Sequence, residues 1–335
     1  MIRRIVLGMA GAALLALAGC DESAVRDFAP KAERKLPAKL TRAMQDKGMT
    51  TASPVMFRIF KEEATFEVWK QKNNGRYELL TSYDICKMSG ELGPKFREGD
   101  RQAPEGFYPI RPALMNPKSS YYLSFDTGYP NSFDRVHGRT GSNLMVHGAC
   151  SSSGCYSMTD DQVAEIYAFA RDAFRGGQKE IQLQAYPFRM SAQNLARYHS
   201  DPNFGFWSNL KEGYDHFELT KTPPKVDVCE KRYVFNRTAP EGTAFKASET
   251  CPDAAQSDRL AVAYAAREAS EKAAFNAALT KGTLPPPKPS IAGHKEAALV
   301  SAWSKARASG QKVSAHPPSF EKAGGEQAAV SLASV

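Results

Sequence analysis

Apolar and polar positions alternate in several short runs through the middle of the chain. The alternation covers 55–60 and 77–85, and the turn sequence Asn73-Asn74-Gly75 lies between those two runs. A period of two predicts β-strands, and an Asn-Gly pair is typical of the turn between paired strands. Further runs of this kind lie at 121–125, 143–147 and 181–185. The sequence therefore predicts a β-rich core that begins near residue 53.

Helical periodicity follows in the second half of this region. Residues 159–162 form a capping-box sequence, and an apolar stripe at helical spacing runs over 163–174 and ends at Gly176-Gly177. This pattern predicts a helix, and two more helical stretches follow between 191 and 219. Strands combined with a few helices predict an α+β fold. The loop over 87–119, rich in Gly, Pro and charge, is long enough to predict a functional segment.

The first twenty residues have the pattern of a targeting segment. Two arginines precede an apolar stretch over 5–18, and the sequence Leu17-Ala18-Gly19-Cys20 follows, as in a secretory signal that ends in a lipoprotein cleavage site. The resemblance to bacterial lipoprotein boxes implies that Cys20 is lipidated and anchors the mature protein to a membrane. Asp21 favours the inner membrane, with the outer membrane as the alternative. The sequence therefore predicts a lipid-anchored periplasmic protein.

The C-terminal third differs from the core in composition. It is rich in Ala, Ser, Lys and Pro and low in large apolar side chains, which predicts a partly disordered tail. A helix is predicted over 260–279, ended by the prolines at 285–287. The predicted organisation is a signal peptide over 1–19, a linker over 20–52, a core domain over 53–236 and an Ala/Pro-rich tail over 237–335.

Overall composition and charge narrow the function classes. Of the 335 residues, 42% are apolar and 24% charged, which excludes collagen-like, wholly disordered and multi-span membrane proteins. The formal charge is +8 and falls to +6 without the signal peptide, and the chain has no basic run. This balance fits an anionic cell wall and gives no reason to expect nucleic acid as a partner.

Candidate chemistry is concentrated just before the capped helix. A short strand leads to His147-Gly148, and a loop with three Ser residues leads to Gly154-Cys155. A thiol reacts as the thiolate, and an imidazole or a helix N-terminus lowers its pKa. We therefore predict Cys155 as nucleophile, His147 as general base, and the backbone N–H groups of 154–156 as donors to an oxyanion. A zinc site of His147, Cys150 and Cys155 is an alternative, but the sequence shows no fourth ligand.

Several motifs in order along the chain resemble one family. The string HG…SxGCxxM at 147–158 resembles the signature of YkuD-type L,D-transpeptidases, in the form typical of their YafK-like branch. Stretches similar to that branch also lie at 83–95, 129–142, 186–190 and 206–218. The resemblance therefore covers about 53–236, and it identifies this core as an L,D-transpeptidase catalytic domain.

The resemblance also implies roles for single residues. It places the nucleophile on Cys155 and the catalytic histidine on His147. The supporting oxyanion and substrate-binding positions are Gly148, Ser153, Gly154 and Tyr156. Ser157 stands where many members have Arg or Asn, so the substrate carboxylate is predicted to bind elsewhere, at Arg139 or Arg189. His137, eighteen residues before Cys155, is a second candidate base.

The remaining cysteines leave alternatives open. In an oxidising periplasm Cys86 and Cys150 can pair with each other, or Cys150 can protect Cys155 reversibly. Cys229 and Cys251 flank a short loop that a disulfide would close. Structural pairing is the preferred interpretation of both pairs.

The family resemblance implies a mixed β-sandwich-like domain with a few flanking helices, and an enzyme without cofactor or metal. Its substrates would be peptidoglycan stem peptides, cross-linked or hydrolysed at diaminopimelate, with wall-attached outer-membrane proteins as further partners. The alternative is a non-catalytic peptidoglycan-binding lipoprotein whose cysteines are structural disulfides. A free, alkylatable Cys155 would favour the enzyme.

Overall fold

The computed structural model describes residues 30–152, 154–282, 285–286, 302, 305–306 and 309–311. Its helices are α1 (Ala38–Asp46), α2 (Ser132–Val136), α3 (Asp160–Arg175), α4 (Ala192–Arg197), α5 (Phe204–Thr220) and α6 (Asp258–Lys281). Its strands are β1 (Val55–Phe60), β2 (Thr65–Gln71), β3 (Tyr77–Asp84), β4 (Lys87–Met88), β5 (Gly106–Ile110), β6 (Met115–Asn116), β7 (Ser124–Asp126), β8 (Met145–His147), β9 (Tyr156–Ser157), β10 (Ile181–Tyr186), β11 (Val226–Cys229) and β12 (Arg232–Phe235). The signal peptide and Cys20 lie outside the described residues.

Two five-stranded sheets make up most of the described strand structure. One has the order β3-β2-β1-β10-β5, and the other has the order β4-β9-β8-β7-β6. Their inner faces meet through side chains such as Phe57 and Phe125, whose ring centroids are 5.9 Å apart. Helix α3 adds Val163, Ile166 and Phe169 to the same core. The prediction of a mixed α+β, sandwich-like fold is confirmed.

The predicted helices lie where the sequence patterns place them. The capping box before α3 is formed by Thr159 and Gln162, whose side chains each bond to the other residue's backbone N–H. This satisfies N–H groups that a helix terminus otherwise leaves unpaired. The tail helix predicted over 260–279 is confirmed as α6, which packs against α4 and α5.

Part of the predicted linker contributes to the core. Helix α1 and its neighbours bury Leu36, Met44 and Met49 in the cluster that also holds β1 and α3. Apolar burial at these three positions holds the segment from residue 30 onward on the domain. The exact domain boundaries stay predictions. Within the described part of the chain, no helix has the length and hydrophobicity needed to cross a bilayer.

A buried ion pair holds the end of the long loop between β4 and β5. Lys61 Nζ lies 2.9 Å from Glu105 Oε1, and both side chains are almost fully buried. Glu105 also accepts hydrogen bonds from the Gly93 N–H at 2.7 Å and from Trp207 Nε1 at 2.8 Å. A buried charge pair is stable only when its remaining polar atoms are bonded in this way. These contacts fix the loop, and the hydrogen bond from Ser89 Oγ to Ser152 Oγ at 3.2 Å connects it to the segment that holds Cys155.

Candidate active site

The second sheet has one apolar face and one polar face. Its strand register aligns Phe125 of β7, Val146 of β8 and Tyr156 of β9, which are fully buried in the core. Because successive side chains of a strand point to opposite faces, the residues beside them share the other face. This polar face carries Ser124, Asp126, Met145, His147, Cys155 and Ser157. The site is built on it.

Cys155 is the free cysteine of the described chain and is partly exposed. Its Sγ donates to the Asn143 carbonyl at 3.6 Å and accepts from the Met145 N–H at 3.4 Å. Burial raises the pKa of this thiol, the Met145 N–H lowers it, the Asp126 carboxylate raises it, and Lys95 lowers it. The net direction is upward, opposite to the sequence prediction. Helix α3 starts only at Asp160, so its N-terminal N–H groups are not bonded to this sulfur.

His147 lies at the end of β8 and is 3% exposed. Its Nδ1 is 2.6 Å from the carbonyl oxygen of Gly148. Because a carbonyl only accepts, Nδ1 carries the proton and Nε2 is the basic nitrogen of the neutral ring. The ring of Tyr121 packs against the imidazole, with centroids 4.8 Å apart.

The parallel pairing of β8 and β9 brings His147 and Cys155 to one face. His147 pairs with Ser157 and Val146 with Tyr156, so Cys155 is one strand across and two residues back from His147. Ordinary sheet dimensions place their Cα atoms about 8 Å apart, within reach of two side chains on the same face. The strand register thus places the predicted nucleophile and the predicted base on neighbouring strands of one sheet.

Two of the three N–H groups predicted as oxyanion donors bond to a single oxygen atom. The N–H groups of Gly154 and Cys155 both donate to Ser152 Oγ, at 3.2 and 2.8 Å. The Ser152 hydroxyl in turn donates to the Cys155 carbonyl at 2.5 Å. Gly154 has a φ of +137°, a backbone conformation that residues other than glycine rarely adopt. These two N–H groups therefore form a small nest around a serine hydroxyl.

The loop after His147 is fixed at three points. Gly148 has no room for a side chain, because an added Cβ would lie 2.6 Å from Asp160 Oδ1 and 2.8 Å from the Tyr121 carbonyl oxygen. The Ala149 N–H donates to Asp160 Oδ1 at 2.7 Å. Cys150 is joined to Cys86 by a disulfide.

Both preferred disulfide pairs are confirmed, Cys86–Cys150 and Cys229–Cys251. Cys150 is therefore not available to protect Cys155 or to complete the zinc set considered from the sequence. Among the described residues, no group of three or more His, Cys, Asp or Glu side chains is arranged to hold a metal ion.

The other predicted site residues have varied surroundings. Arg139 is 8% exposed, and its guanidinium lies 2.8 Å from Asp134 and over the rings of Phe133 and Phe206. The guanidinium of Arg139 is thus already paired with a carboxylate of the protein itself. Its predicted role in binding the substrate carboxylate stays a prediction. The Tyr156 side chain is buried and donates to the Pro104 carbonyl. Ser153 lies outside the described residues.

Arg189, the alternative residue for binding the substrate carboxylate, and His137, the second candidate base, also have partners elsewhere. Arg189 pairs with Glu67 at 2.8 Å on the first sheet. His137 follows α2 and its Nε2 lies 2.8 Å from the carbonyl of Lys231, in the turn between β11 and β12. Neither contact connects these side chains to Cys155.

Several groups around the thiol could not be predicted from the sequence. Asn143 and Met145 act through backbone atoms, which any residue type provides. Asp126 and Lys95 act on the thiol by charge, and they lie far from Cys155 in sequence. Only the strand register and the path of the long loop bring them together.

Comparison with known proteins finds two relatives that have the same name. Over 186 residues, 55% of its length, the chain is 48% identical to "Putative L,D-transpeptidase YafK" of Escherichia coli K12, 75% of which is covered. The values for the protein of that name in Escherichia coli O157:H7 are the same. No protein-family model matches the chain.

Two solved structures are similar to part of the chain. The helical cell shape determining protein Pgp2 from Campylobacter jejuni is 19% identical, with 56% of this chain and 79% of that chain covered and a TM-score of 0.32. Bd1075 from Bdellovibrio bacteriovorus is 18% identical, with 52% and 76% covered and a TM-score of 0.30.

Proposed function

The chain belongs to the YafK-like L,D-transpeptidase family, and from this premise we propose that it is a cysteine acyl-transfer enzyme acting on peptidoglycan stem peptides. One observation carries the proposal. The strand register places Cys155, a free and partly exposed cysteine, two residues before the pairing partner of His147, whose Nδ1–H is held by the Gly148 carbonyl. A nucleophile and an oriented base in this relation are the requirement for thiol-based acyl transfer.

The first step is attack on the carbonyl of a diaminopimelate residue. The Nε2 atom of His147 takes the proton of Cys155, and the sulfur forms a bond to the carbonyl carbon. Because burial and the nearby Asp126 carboxylate raise the pKa of this thiol, the transfer of its proton to His147 accompanies substrate binding. The carbonyl π electrons move to the oxygen, which becomes the oxyanion of a tetrahedral intermediate.

The second step releases the leaving group. The N–H groups of Gly154 and Cys155 stabilise the oxyanion once the substrate oxygen has replaced Ser152 Oγ in the nest. The intermediate collapses, the carbon–nitrogen bond breaks, and the departing amine takes the proton from His147. A thioester on Cys155 remains.

The acceptor of the thioester determines the final reaction. An amine acceptor gives a new peptide cross-link, whereas water gives hydrolysis and a free stem peptide. The proposal includes links between stem peptides and links between peptidoglycan and outer-membrane proteins. We keep hydrolysis and transpeptidation as the two forms of the same chemistry.

The cellular location belongs to the proposal as well. The signal pattern over 1–19 supports export, and the cleavage-site sequence ending at Cys20 supports a lipid anchor in the periplasm. Asp21 supports the inner membrane. An anchor there would leave the domain facing the cell wall.

The proposal is tested on isolated sacculi. Purified mature protein is expected to change the muropeptide profile, and Cys155→Ala is expected to abolish the change while melting within a few degrees of the parent protein. Mass spectrometry of the products separates the two reactions, because a new stem dimer indicates transpeptidation and a freed tetrapeptide indicates hydrolysis. Equal profiles for the two proteins on several wall preparations, including walls with attached protein, would support the non-catalytic peptidoglycan-binding alternative.

A further inference from the structure

Asp126 lies at the edge of the candidate site on the end of β7. Its register partner on β8 is Met145, and the Met145 N–H bonds to Cys155 Sγ at 3.4 Å. Because paired residues of neighbouring strands share a face, Asp126, Met145 and Cys155 form one row across three strands. The carboxylate is therefore two strand spacings, about 10 Å, from the backbone of the nucleophile.

This carboxylate lacks a compensating charge within the protein. Asp126 is half-buried, and its Oδ1 accepts one hydrogen bond, from the Gly128 N–H at 2.7 Å. Burial raises its pKa, and the single hydrogen bond lowers it only in part. Among the described residues, no Lys, Arg or His forms an ion pair with it. A half-buried, unpaired carboxylate costs free energy that a cationic ligand would offset.

We propose that Asp126 is a specificity-determining residue that binds the ammonium group on the side chain of the acyl donor. In a diaminopimelate donor this is the second amino group, the one farther from the reacting carbonyl. The inference rests on the proposed function and assigns the recognition of its donor to one side chain.

The position of Asp126 separates this ammonium group from the leaving amine. The leaving amine is bonded to the reacting carbonyl and must lie beside Cys155 and His147. Asp126 lies on the far side of Met145 from Cys155. Three methylene groups separate the two amino-acid centres of diaminopimelate, so an extended side chain carries its ammonium group away from the thiol along this row.

The test removes the ammonium group from the donor and, separately, the carboxylate of Asp126 from the protein. Two synthetic stem peptides differ only at the donor residue, which is diaminopimelate in one and 2-aminopimelate, the same residue without the second amino group, in the other. The purified protein is compared with Asp126→Asn, which keeps an oxygen for the Gly128 N–H. Glu98→Gln is the matched control, because Glu98 is an exposed carboxylate of the loop beside Ser142.

A charge-assisted hydrogen bond predicts a preference of about tenfold to a hundredfold in kcat/KM for the diaminopimelate donor. Asp126→Asn is expected to lose most of this preference by acting more slowly on the diaminopimelate donor, while Glu98→Gln keeps it. Turnover of both donors at equal efficiency by the parent protein would overturn the inference and leave the proposed function standing, whatever the stability of the variant. The same preference in the parent and in Asp126→Asn would also overturn it. Absence of turnover on both donors and on sacculi would overturn the proposed function, and this inference with it.

Discussion

At the scale of single residues, the surroundings of Cys155 favour the protonated form of its thiol. Burial and the nearby Asp126 carboxylate raise its pKa, and together they outweigh the Met145 N–H and Lys95. A protonated thiol is a weak nucleophile, so in the proposed reaction its proton passes to His147 when the substrate binds. We therefore expect the alkylation of Cys155 to be slow at neutral pH and to become faster as the pH rises.

The charge of Asp126 has a measurable effect on this thiol in the absence of substrate. Asp126→Asn removes a negative charge that disfavours the thiolate, so the pKa of Cys155 is expected to fall. The rate of alkylation by iodoacetamide, followed from pH 6 to pH 10, should rise at lower pH in the variant than in the parent protein. Cys155→Ala provides the zero-rate control. A curve displaced to higher pH would contradict the assigned direction.

Ser152 provides the second prediction at this scale. Its hydroxyl accepts hydrogen bonds from the N–H groups of Gly154 and Cys155, so in the proposed reaction a substrate carbonyl has to displace it. Ser152→Ala should raise kcat/KM about fivefold, the equivalent of the ~1 kcal/mol bond that no longer has to be displaced.

The same substitution removes a turn contact, so the free energy of unfolding should fall by about 1 kcal/mol. Steady-state kinetics and denaturant titration measure the two effects. A large loss of kcat at unchanged stability would instead show that the hydroxyl takes part in the reaction. Ser151→Ala, at the neighbouring buried serine, is the matched control.

Residue types could be predicted at this scale, but their surroundings could not. The identities of Cys155 and His147 follow from the motif at 147–158. The direction of the thiol pKa depends on burial and on Asp126 and Lys95, and no local pattern encodes it. The buried ion pair of Arg139 with Asp134 was also beyond prediction, because sequence spacing does not show which arginine is enclosed by aromatic rings.

At the scale of elements, the site depends on very short strands. β8 has three residues and β9 has two, and their parallel register sets the relation of His147 to Cys155. So few residues contribute little pairing energy by themselves. Neighbouring strands and the Cys86–Cys150 disulfide hold them, since Cys86 leads into β4, which pairs with β9.

The disulfide beside the site should therefore affect both stability and activity. The double variant Cys86→Ala, Cys150→Ala is expected to lose about 4 kcal/mol of unfolding free energy, from the loop closed by a 64-residue separation. Its kcat should fall at temperatures well below its melting point, because Cys150 follows His147 by three residues in a loop whose Ala149 and Cys150 both have positive φ. Melting curves and turnover measured on the same samples test this.

The second disulfide is the matched control. Cys229 and Cys251 are 22 residues apart, so their removal should cost about 3 kcal/mol of stability. They lie in and beyond β11, away from the polar sheet face. Their double alanine variant should keep its kcat when folded. Equal losses of kcat in both variants would show that the effect is one of general stability.

The predictability of an element followed the strength of its local pattern. Helix α3 was predictable because a capping box and an apolar stripe define its start and its buried face. Strands β8 and β9 are too short to show a period, and their partners come from tertiary contacts. The geometry of the candidate site was therefore the part of the fold that was least predictable from the sequence patterns.

At the scale of the whole molecule, helix α6 is attached to the domain by both apolar and charged contacts. The ring of Tyr264 stacks on His216 of α5 with centroids 4.7 Å apart, and Arg267 Nε lies 2.7 Å from Asp215. Near its C-terminal end, Phe275 lies against Phe204. An Ala-rich sequence gives little sign of such docking, because the contacts come from a few large residues spaced along a small-residue helix.

The contact between α5 and α6 makes folding stability depend on pH. Burial and the nearby Arg237 lower the pKa of His216 to about 4 from an ordinary value of 6.5. The folded protein therefore keeps this ring neutral, while the unfolded chain binds a proton below pH 6.5. The stability contributed by the neutral ring is complete above pH 6.5 and is lost as the pH falls from 6.5 toward 4.

We expect the free energy of unfolding to decrease between pH 7.5 and pH 5, and His216→Gln to remove part of that decrease, because glutamine has no proton to bind in this range. Denaturant titrations at the two pH values measure the difference, with His199→Gln as the control at a histidine outside this contact. Tyr264→Ala should also make the unfolding free energy depend less on pH. The substitution opens the α6 contact to water and therefore moves the pKa of His216 toward its ordinary value. An identical pH dependence in the parent protein and in His216→Gln would contradict the assignment and would leave α6 without a role in the acid stability of the domain.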